Sequence, residues 1–529
     1  MPSSKRCWQK SWYSLVKTDL LQFVNEDQYR QLCAACDQVL LSQRAGDTTV
    51  AIPWLHVIRP HPMFLPQYEQ VFDGGPGAGG ESLRRLRNLA SRLRSLAAAV
   101  VHQGPWWSVS APLSDGADVI FVSHLLNWEQ AGSDHDFYFG SLPTSLAARG
   151  YKVAVVLIDY TGFNPDKLAS RWAKSGVPRV ILHHALDSAA ELQLIARGRR
   201  EARRLRDEAE ECNDPFYRLV LTRAAIEARG GAQLHALRLG EQLHALVGVL
   251  KPSTLITTYE GHAWERIVYA RARDAQPGIR CIGYQHAGLI NMQHAAVRRL
   301  SARYEPDTIA CAGTMARDAL RRNPALRGID VDVIGSVRSL APSAIQEAGQ
   351  REACLVLPEG NLQECRLLFG LSLACARQDS SLQFIWRLHP NMRYDDLVQQ
   401  HPEFAEPPAN IELSTTSLSA DIARSAWTLY RGSTAAIQAA AGGAFPVYLG
   451  LAGEIPVDTL IELNGLRKQV NSADDYLALM HTSADIERGI ELQQIQAYCA
   501  QIFNPLDADR LASLLMPAQQ KLAATSALR

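Results

Sequence analysis

The stretch TLITTYEGHAWERIVYARARDAQPGIRCIGY, Thr254–Tyr284, reads as a strand, a helix and a second strand. TLITTY (Thr254–Tyr259) is short, apolar and rich in β-branched residues, which suits a strand buried on both faces. Gly261 breaks it, Ala263–Ala275 carries helical spacing, and IRCIGY (Ile279–Tyr284) restores an apolar run. That succession is the parallel α/β unit. The rhythm continues upstream in VIFVSH (Val119–His124), a helix around Phe139–Arg149, VAVVLI (Val153–Ile158) and RVILHH (Arg179–His184). A charged helical stretch over 188–248 follows, expected as two helices broken near Asn213–Pro215. Downstream lie DTIACAG (Asp307–Gly313) and VDVIGS (Val331–Ser336).

A loop near Leu340–Ile345 is the expected hinge, after which a second set begins. Its strands are CLVLPEG (Cys354–Gly360), QFIWRLHP (Gln383–Pro390), NIELS (Asn410–Ser414), AWTLYRGS (Ala426–Ser433) and FPVYLG (Phe445–Gly450), with helices from about 470 onward. The fold class is therefore α/β: two doubly wound, Rossmann-like domains facing across a cleft. The expected boundaries are an N-terminal extension or cap over 1–112, a first domain over 113–340, and a second over 341–529 that includes the C-terminal helices. Ligands of such sheets bind outside the carboxyl ends of the strands, so the cleft is the expected site.

Composition narrows the classes. With 529 residues, 47% hydrophobic content and zero net charge, the chain is not disordered. Fifty-four Lys+Arg balance 54 Asp+Glu, which argues against nucleic acid as partner. No apolar run approaches the roughly 20 residues of a membrane span. The opening MPSSKRCWQKSWYSLVK lacks the apolar region of a secretory signal, so a cytoplasmic location is expected. Ten cysteines without framework spacing read as buried small hydrophobes in a reducing compartment. Cys33 and Cys36 form the single CxxC, on a helix, with no further ligands spaced for zinc. Residues 1–112 look irregular: AIPWLHVIRPHPMFLP (Ala51–Pro66) is Pro-rich, DGGPGAGGES (Asp73–Ser82) is Gly-rich, and Leu83–Val101 is a basic helix candidate.

Three segments at strand ends can carry chemistry. In YEGHAWER, Gly261 turns the chain sharply, so Glu260 can project from the rim as a general base for an acceptor hydroxyl. The alternative is a capping or dipole partner of the next helix. In RLHPNM, Pro390 stops the strand and turns His389 toward the cleft, with Arg387 two residues earlier on the same side. A histidine there can donate to a phosphate oxygen. The His-Pro pair also occurs at His61–Pro62 and His401–Pro402, but neither closes an apolar strand, and both histidines read as loop residues. In YRGSTAAIQAAAGG, Gly432 breaks a strand and Ser433 and Thr434 open a helix ended by Gly442 and Gly443. Such a turn offers hydroxyls and backbone N–H groups to an anion, or simply caps the helix.

The order acidic-Gly, His-Pro, Ser-Thr resembles that of bacterial sialyltransferases and related capsule-type Kdo and polysialic acid transferases of GT-B fold. YEGHAWER, GYQHAGL, LVLPEG, RLHP and YRGSTAA also resemble a group of bacterial surface-carbohydrate biosynthesis proteins. The resemblance spans about 115–460. It implies a cytoplasmic, inverting glycosyltransferase of surface polysaccharide or capsule assembly, with the first domain binding the acceptor and the second a nucleotide sugar. The donor would be a CMP-linked ulosonic acid such as Kdo or sialic acid, the acceptor a glycan or lipid-linked glycan, and no separate cofactor or metal would be needed. Glu260 then matches the base, His389 the His-Pro histidine, and Ser433 and Thr434 the phosphate-binding pair beside Gly432. Gln285 and His286 in GYQHAGL would line the acceptor side. Gly360 would let the loop after the first strand of the second domain approach the donor, and Asn361 could cap the next helix.

Two departures matter. Tyr259 stands where many sialyltransferases have a second acid, and the helix after Thr434 carries Gln438 where UDP-sugar transferases often carry a ribose-binding Glu. A UDP-, GDP- or CDP-linked donor, a glycerophosphotransferase-like enzyme, a nucleotide-sugar epimerase and a non-catalytic scaffold remain alternatives. Asp134–His135–Asp136 and Asp330–Val331–Asp332 mimic metal-binding acids. The arginine runs at Arg84–Arg94, Arg197–Arg206 and Arg298–Arg303 read as solvated helix faces, or as a patch for peripheral contact with an anionic inner membrane.

Overall fold

The computed structural model of the protein describes residues 24–61, 64–72, 105–113, 116–289, 291–339, 351–390, 392–463, 465–482 and 488–515, with Asn88, Leu96 and Ala99 between them. The Gly-rich loop over 73–82, the basic helix expected over Leu83–Val101 apart from those three residues, and the expected hinge at Leu340–Ile345 lie outside the described residues.

Strands β1 Trp107–Val109, β2 Val119–Leu125, β3 Val153–Asp159, β4 Arg179–Leu182, β5 Thr254–Thr258, β6 Arg280–Gln285, β7 Thr308–Cys311 and β8 Asp330–Val333 make one sheet, ordered β1-β4-β3-β2-β5-β6-β7-β8. Only β1 runs antiparallel, against β4. Strands β9 Ala353–Leu357, β10 Gln383–Trp386, β11 Ile411–Leu413, β12 Ser425–Tyr430, β13 Phe445–Leu449 and β14 Lys468–Val470 make a second, wholly parallel sheet, ordered β11-β10-β9-β12-β13-β14. This is the two-lobed α/β architecture of the GT-B type. All seven residues of β3 are buried, because helices cover both faces. Strands β1 and β14 have only three residues each and leave no apolar run in the sequence.

Each strand order reverses once, between β2 and β5 and between β9 and β12. At such a point successive loops leave toward opposite faces and open a crevice at the strand ends. The Glu260 turn follows β5, Glu359–Asn361 follow β9, and Gly432–Thr434 follow β12. All three segments therefore sit at reversal points.

Helices bearing on this arrangement are α1 Glu26–Leu40, α2 Ser188–Glu211, α3 Pro215–Glu227, α4 Gly231–Leu250, α5 Ala263–Ala275, α6 Leu362–Gln378, α7 Ala435–Ala441, α8 Arg488–Ile502 and α9 Ala508–Leu515. The expected pair over 188–248 is in fact three helices. Asp214 caps α3 through the N–H groups of Phe216 (2.9 Å) and Tyr217 (3.0 Å), and a second break falls at Gly230. The N-terminal region is also more regular than its composition implies. A reciprocal cap between Asn25 and Gln28 starts α1. Its Tyr29, Leu32, Cys36 and Val39 pack with Leu205, Val220, Ala224 and Leu237 of α2–α4. Each fully buried side chain of this kind contributes roughly 1.5–3 kcal/mol, so the unit is built into the first lobe. Burial pushes the Cys33 thiol up to about 12 and that of Cys36 well above its usual value.

Arg298, expected on a solvated face, is buried. It donates to Asp37 (3.1 Å) of α1 and to His56 Nδ1 (2.9 Å), tying the N-terminal unit to the first lobe. The run on α2 is partly neutralised by Arg197–Glu241 and by Arg204 with Glu201 and Glu208. The last helix departs from the expected division as well. After α8 the chain recrosses, with Asn504 N–H on Ala312 O (2.9 Å) and Asp507 N–H on Ile334 O (2.9 Å). Helix α9 then packs Leu511 and Leu514 with Phe121, Val155 and Ile282 of the first sheet. Among the described residues no helix is long and apolar enough to cross a membrane.

Candidate active site between the lobes

The turn after β5 is held by a carboxylate that the sequence reading passed over. Glu265, fully buried on α5, accepts the N–H groups of Glu260 (3.1 Å), Gly261 (2.8 Å) and His262 (2.8 Å). Gly261 has φ +86°, and a Cβ there would collide with the Ala295 carbonyl, so glycine is required twice over. Because Glu265 performs the capping, Glu260 is released from that role. Its Oε2 lies 3.4 Å from His262 Nε2, with the carboxylate side chain 18% exposed and the imidazole 36%. Burial works to raise the Glu260 pKa. His262, His286 and Arg59 outweigh it and hold the carboxylate well below its usual range. For His262 burial works downward, and Glu260 and Glu265 overcome it, so its pKa rises. The rim thus carries a carboxylate–imidazole pair in place of a lone acid.

An aromatic wall adjoins the pair. The His286 ring lies 4.5 Å from Tyr138, and His124 lies 5.2 Å from Trp264, 5.5 Å from Tyr138 and 5.7 Å from Tyr160. Burial pushes His124 down to about 3 and His286 to about 4, so both are neutral at pH 7. Gln285 does not join this wall: it is fully buried, and its amide bonds the Ala287 carbonyl.

On the second lobe, β10 stops at Trp386, short of the Pro390 expected to end it. His389 is exposed and stands against Gly360, where a Cβ would come within 2.9 Å of Nδ1. Burial lowers the His389 pKa against the opposing pull of Glu359. Arg387 does not share its side. Its Nη1 is taken by Asp421 (2.8 Å), Ser414 (3.2 Å) and the Thr416 carbonyl (2.8 Å), so the two-residue strand period fails once the strand has ended. Asn361 caps α6 by accepting the Glu364 N–H (2.9 Å).

The Gly432–Ser433–Thr434 turn follows Arg431, which is fully buried between Glu364 (3.0 Å) and Glu454 (2.5 Å) and donates to Leu449 O (2.8 Å). Thr434 occupies the cap position of α7, yet its hydroxyl makes no capping bond. Arg338, from the loop after β8, donates to Thr434 Oγ1 instead (3.3 Å). Arg338 also acts electrostatically on Glu260 and on His389. One guanidinium therefore bonds the third sequence-derived segment and acts electrostatically on the other two. A cavity of about 620 Å³ abuts the turn; Thr459, which lines it, donates to the Ser433 carbonyl (3.4 Å).

Three of the four metal-like acids are engaged otherwise. Asp136 accepts from Ser123 (2.8 Å) and from the N–H groups of Tyr138 and Phe139, Asp134 accepts from Ser175 (2.6 Å), and Asp332 pairs with Arg510. Among the described residues no three His, Cys, Asp or Glu side chains converge as a ligand set.

No family model matches the chain, and no curated protein matches it. Solved structures similar to it include the glycotransferase of kitacinnamycin, at 15% identity and TM-score 0.46, covering 76% of this chain and 99% of that one. Another is the glycosyltransferase SnogD from Streptomyces nogalater, at 14% identity and TM-score 0.41, covering 76% and 100%. A third is a UDP-GlcNAc 2-epimerase from Methanocaldococcus jannaschii, at 10% identity and TM-score 0.44, covering 75% and 99%.

The residues that sequence reasoning missed are Glu265, His262, Arg338, Arg59, His61 and Glu359. His262 was adjacent to the motif, and its pairing was readable from the i, i+2 spacing across a Gly turn. His61 stood in a His-Pro pair set aside because it closes no strand. Arg338 and Arg59 carried no local signal.

Proposed function

We propose that the protein is an inverting glycosyltransferase that uses a nucleotide sugar. The observation that carries this reading is Arg338, which bonds the Thr434 hydroxyl of one lobe (3.3 Å) while acting electrostatically on His389 beside it and on Glu260 of the other. A proton acceptor and an anion-binding group on opposite walls are what displacement at an anomeric carbon needs. The acceptor hydroxyl gives its proton to neutral His262, and Glu260 stabilises the imidazolium that results. The acceptor oxygen bonds the anomeric carbon as the bond to the phosphate oxygen breaks. Arg338, Ser433, Thr434 and the N–H of His389 take up the charge of the departing phosphate. The neutral rings of His124, Tyr138 and His286 offer an uncharged wall to an acceptor sugar.

For the donor we hold to a CMP-linked ulosonic acid. Its single leaving phosphate suits the small set of donors at the turn, and the Gln438 amide is directed to the Arg338 carbonyl (3.4 Å), with no acid on α7 to hold a ribose. Arg59 favours a second reading, a diphosphate donor. It lies within electrostatic reach of Glu260, Arg338 and Glu359, and its buried Nε has no hydrogen-bond partner among the described residues. Titration with CMP, CDP and UDP separates the two, and binding of none of them overturns both. Arg338→Ala is expected to weaken the preferred nucleotide by about 10- to 100-fold, since a hydrogen bond to a charged group is lost. Unchanged affinity in calorimetry would remove Arg338 from the site.

The raised His262 pKa sets a pH dependence. A general base must be unprotonated, so turnover should fall on the acid side with a midpoint above the ordinary histidine value of about 6.5. A rate flat down to about pH 5 would assign proton removal to the Glu260 carboxylate alone.

A further inference from the structure

Among the described residues the N-terminal unit meets the second lobe through His61, and Ile455 of that lobe joins the buried cluster around α1. Packed through α1 on the first lobe, the unit extends the segment Arg59–His61 across the gap. His61 Nε2 lies 2.6 Å from Glu359 Oε2, with the side chains only 1% and 11% exposed. Both groups press on Gly432. A Cβ at that position would lie 2.5 Å from Glu359 Oε1 and 2.8 Å from His61 Nε2. Gly432 has no positive φ, so backbone conformation does not demand glycine there; the space taken by the pair does. The next two residues are Ser433 and Thr434, and the residue before is the buried Arg431.

We propose that His61 is a positioning residue: by gripping Glu359 it docks the N-terminal unit on the second lobe and sets the Gly432–Thr434 turn at its working distance from Arg338. Two consequences follow from the same contact. The pair packs directly against Gly432, so the turn is pinned and the Thr434 hydroxyl cannot swing from the guanidinium. Arg59, two residues before His61, acts electrostatically on both Glu260 and Glu359. Residues outside both sheets thereby become part of the donor site, and the gap acquires a third wall. The phosphate-binding role of the turn rests on the proposed function, whereas the docking role does not.

The test compares His61→Ala with His61→Gln in the full-length chain, because the glutamine amide can still donate to Glu359. Hydrogen exchange over residues 431–437 is expected to quicken about tenfold in His61→Ala, with α1 unchanged as the internal control. Affinity for whichever of CMP, CDP or UDP the wild type binds should fall by about tenfold, and His61→Gln should recover both to within about threefold. Wild-type exchange and affinity in His61→Ala would overturn the proposal, as would faster exchange spread evenly over the molecule. If His61→Ala does not fold, Glu359→Gln, which keeps shape and removes the charge, is expected to shift the same two readouts in the same direction; no shift overturns the proposal. If the wild type binds no nucleotide, the transferase reading fails, and exchange alone decides the docking role.

Discussion

Glu260→Gln is expected to lower glycosyl transfer by about 100- to 10,000-fold, because the amide no longer stabilises the imidazolium that His262 becomes on taking the acceptor proton. Nucleotide affinity should stay within about twofold, because the change is made on the opposite wall of the gap. The substitution keeps volume and hydrogen-bonding length and removes one charge. Glu260 raises the His262 pKa chiefly as its hydrogen-bond partner, with the charges of Glu265 and then of Glu260 adding to it. The variant should therefore also show an NMR-titrated His262 pKa below that of the wild type, and this readout does not depend on knowing the sugar. Retention of full turnover would break the assignment of the β5 rim as the source of the base. Loss of nucleotide binding with unchanged chemistry would place Glu260 on the donor side.

Arg431→Ala carries the largest expected effect on stability, about 3–5 kcal/mol, the usual consequence of stripping the counter-ion from a buried pair. Arg431 is 0% exposed, and its two carboxylate partners, Glu364 and Glu454, are 2% and 5% exposed. Removing it leaves two desolvated acids facing each other. Burial already raises the Glu364 pKa, with Arg431 pulling it down. Without Arg431 that pKa must rise further. A carboxyl whose folded pKa lies above its unfolded value stabilises most when protonated and loses that contribution as pH rises through the folded value. The deficit should therefore be smaller near pH 5 than near pH 8 in urea-unfolding experiments. A change below about 1 kcal/mol would mean that the triad is solvated. The same triad anchors the Gly432 turn, so a surviving variant should also bind nucleotide more weakly.

The motif residues and the residues that complete them differ in how they were encoded. Glu260, His389 and Ser433–Thr434 were legible because each lies where an apolar run stops, and a run's end is a local signal. The same logic overreached at Arg387, which was assigned a side by strand period although β10 ends at Trp386 and Asp421 draws the guanidinium away. It also overreached at Gln285, expected to line the acceptor side but buried, with its amide on the Ala287 carbonyl. The capping alternative for Glu260 could not be settled from the string EGHAWE, which contains two acids competent to cap. In the folded chain Glu265 collects the three amides.

By itself the sequence determined the layers. Runs such as VAVVLI and TLITTY, buried on both faces, have no other stable home than parallel sheets clad in helices, and burial is written into local composition. It also determined which turns stand at the strand ends. Only the tertiary structure decided which side chains meet there: His262 with Glu260, Arg338 with Thr434, and His61 with Glu359 across the two lobes. A polar contact between distant segments depends on how whole lobes are oriented, and hydrophobic periodicity holds no record of that orientation.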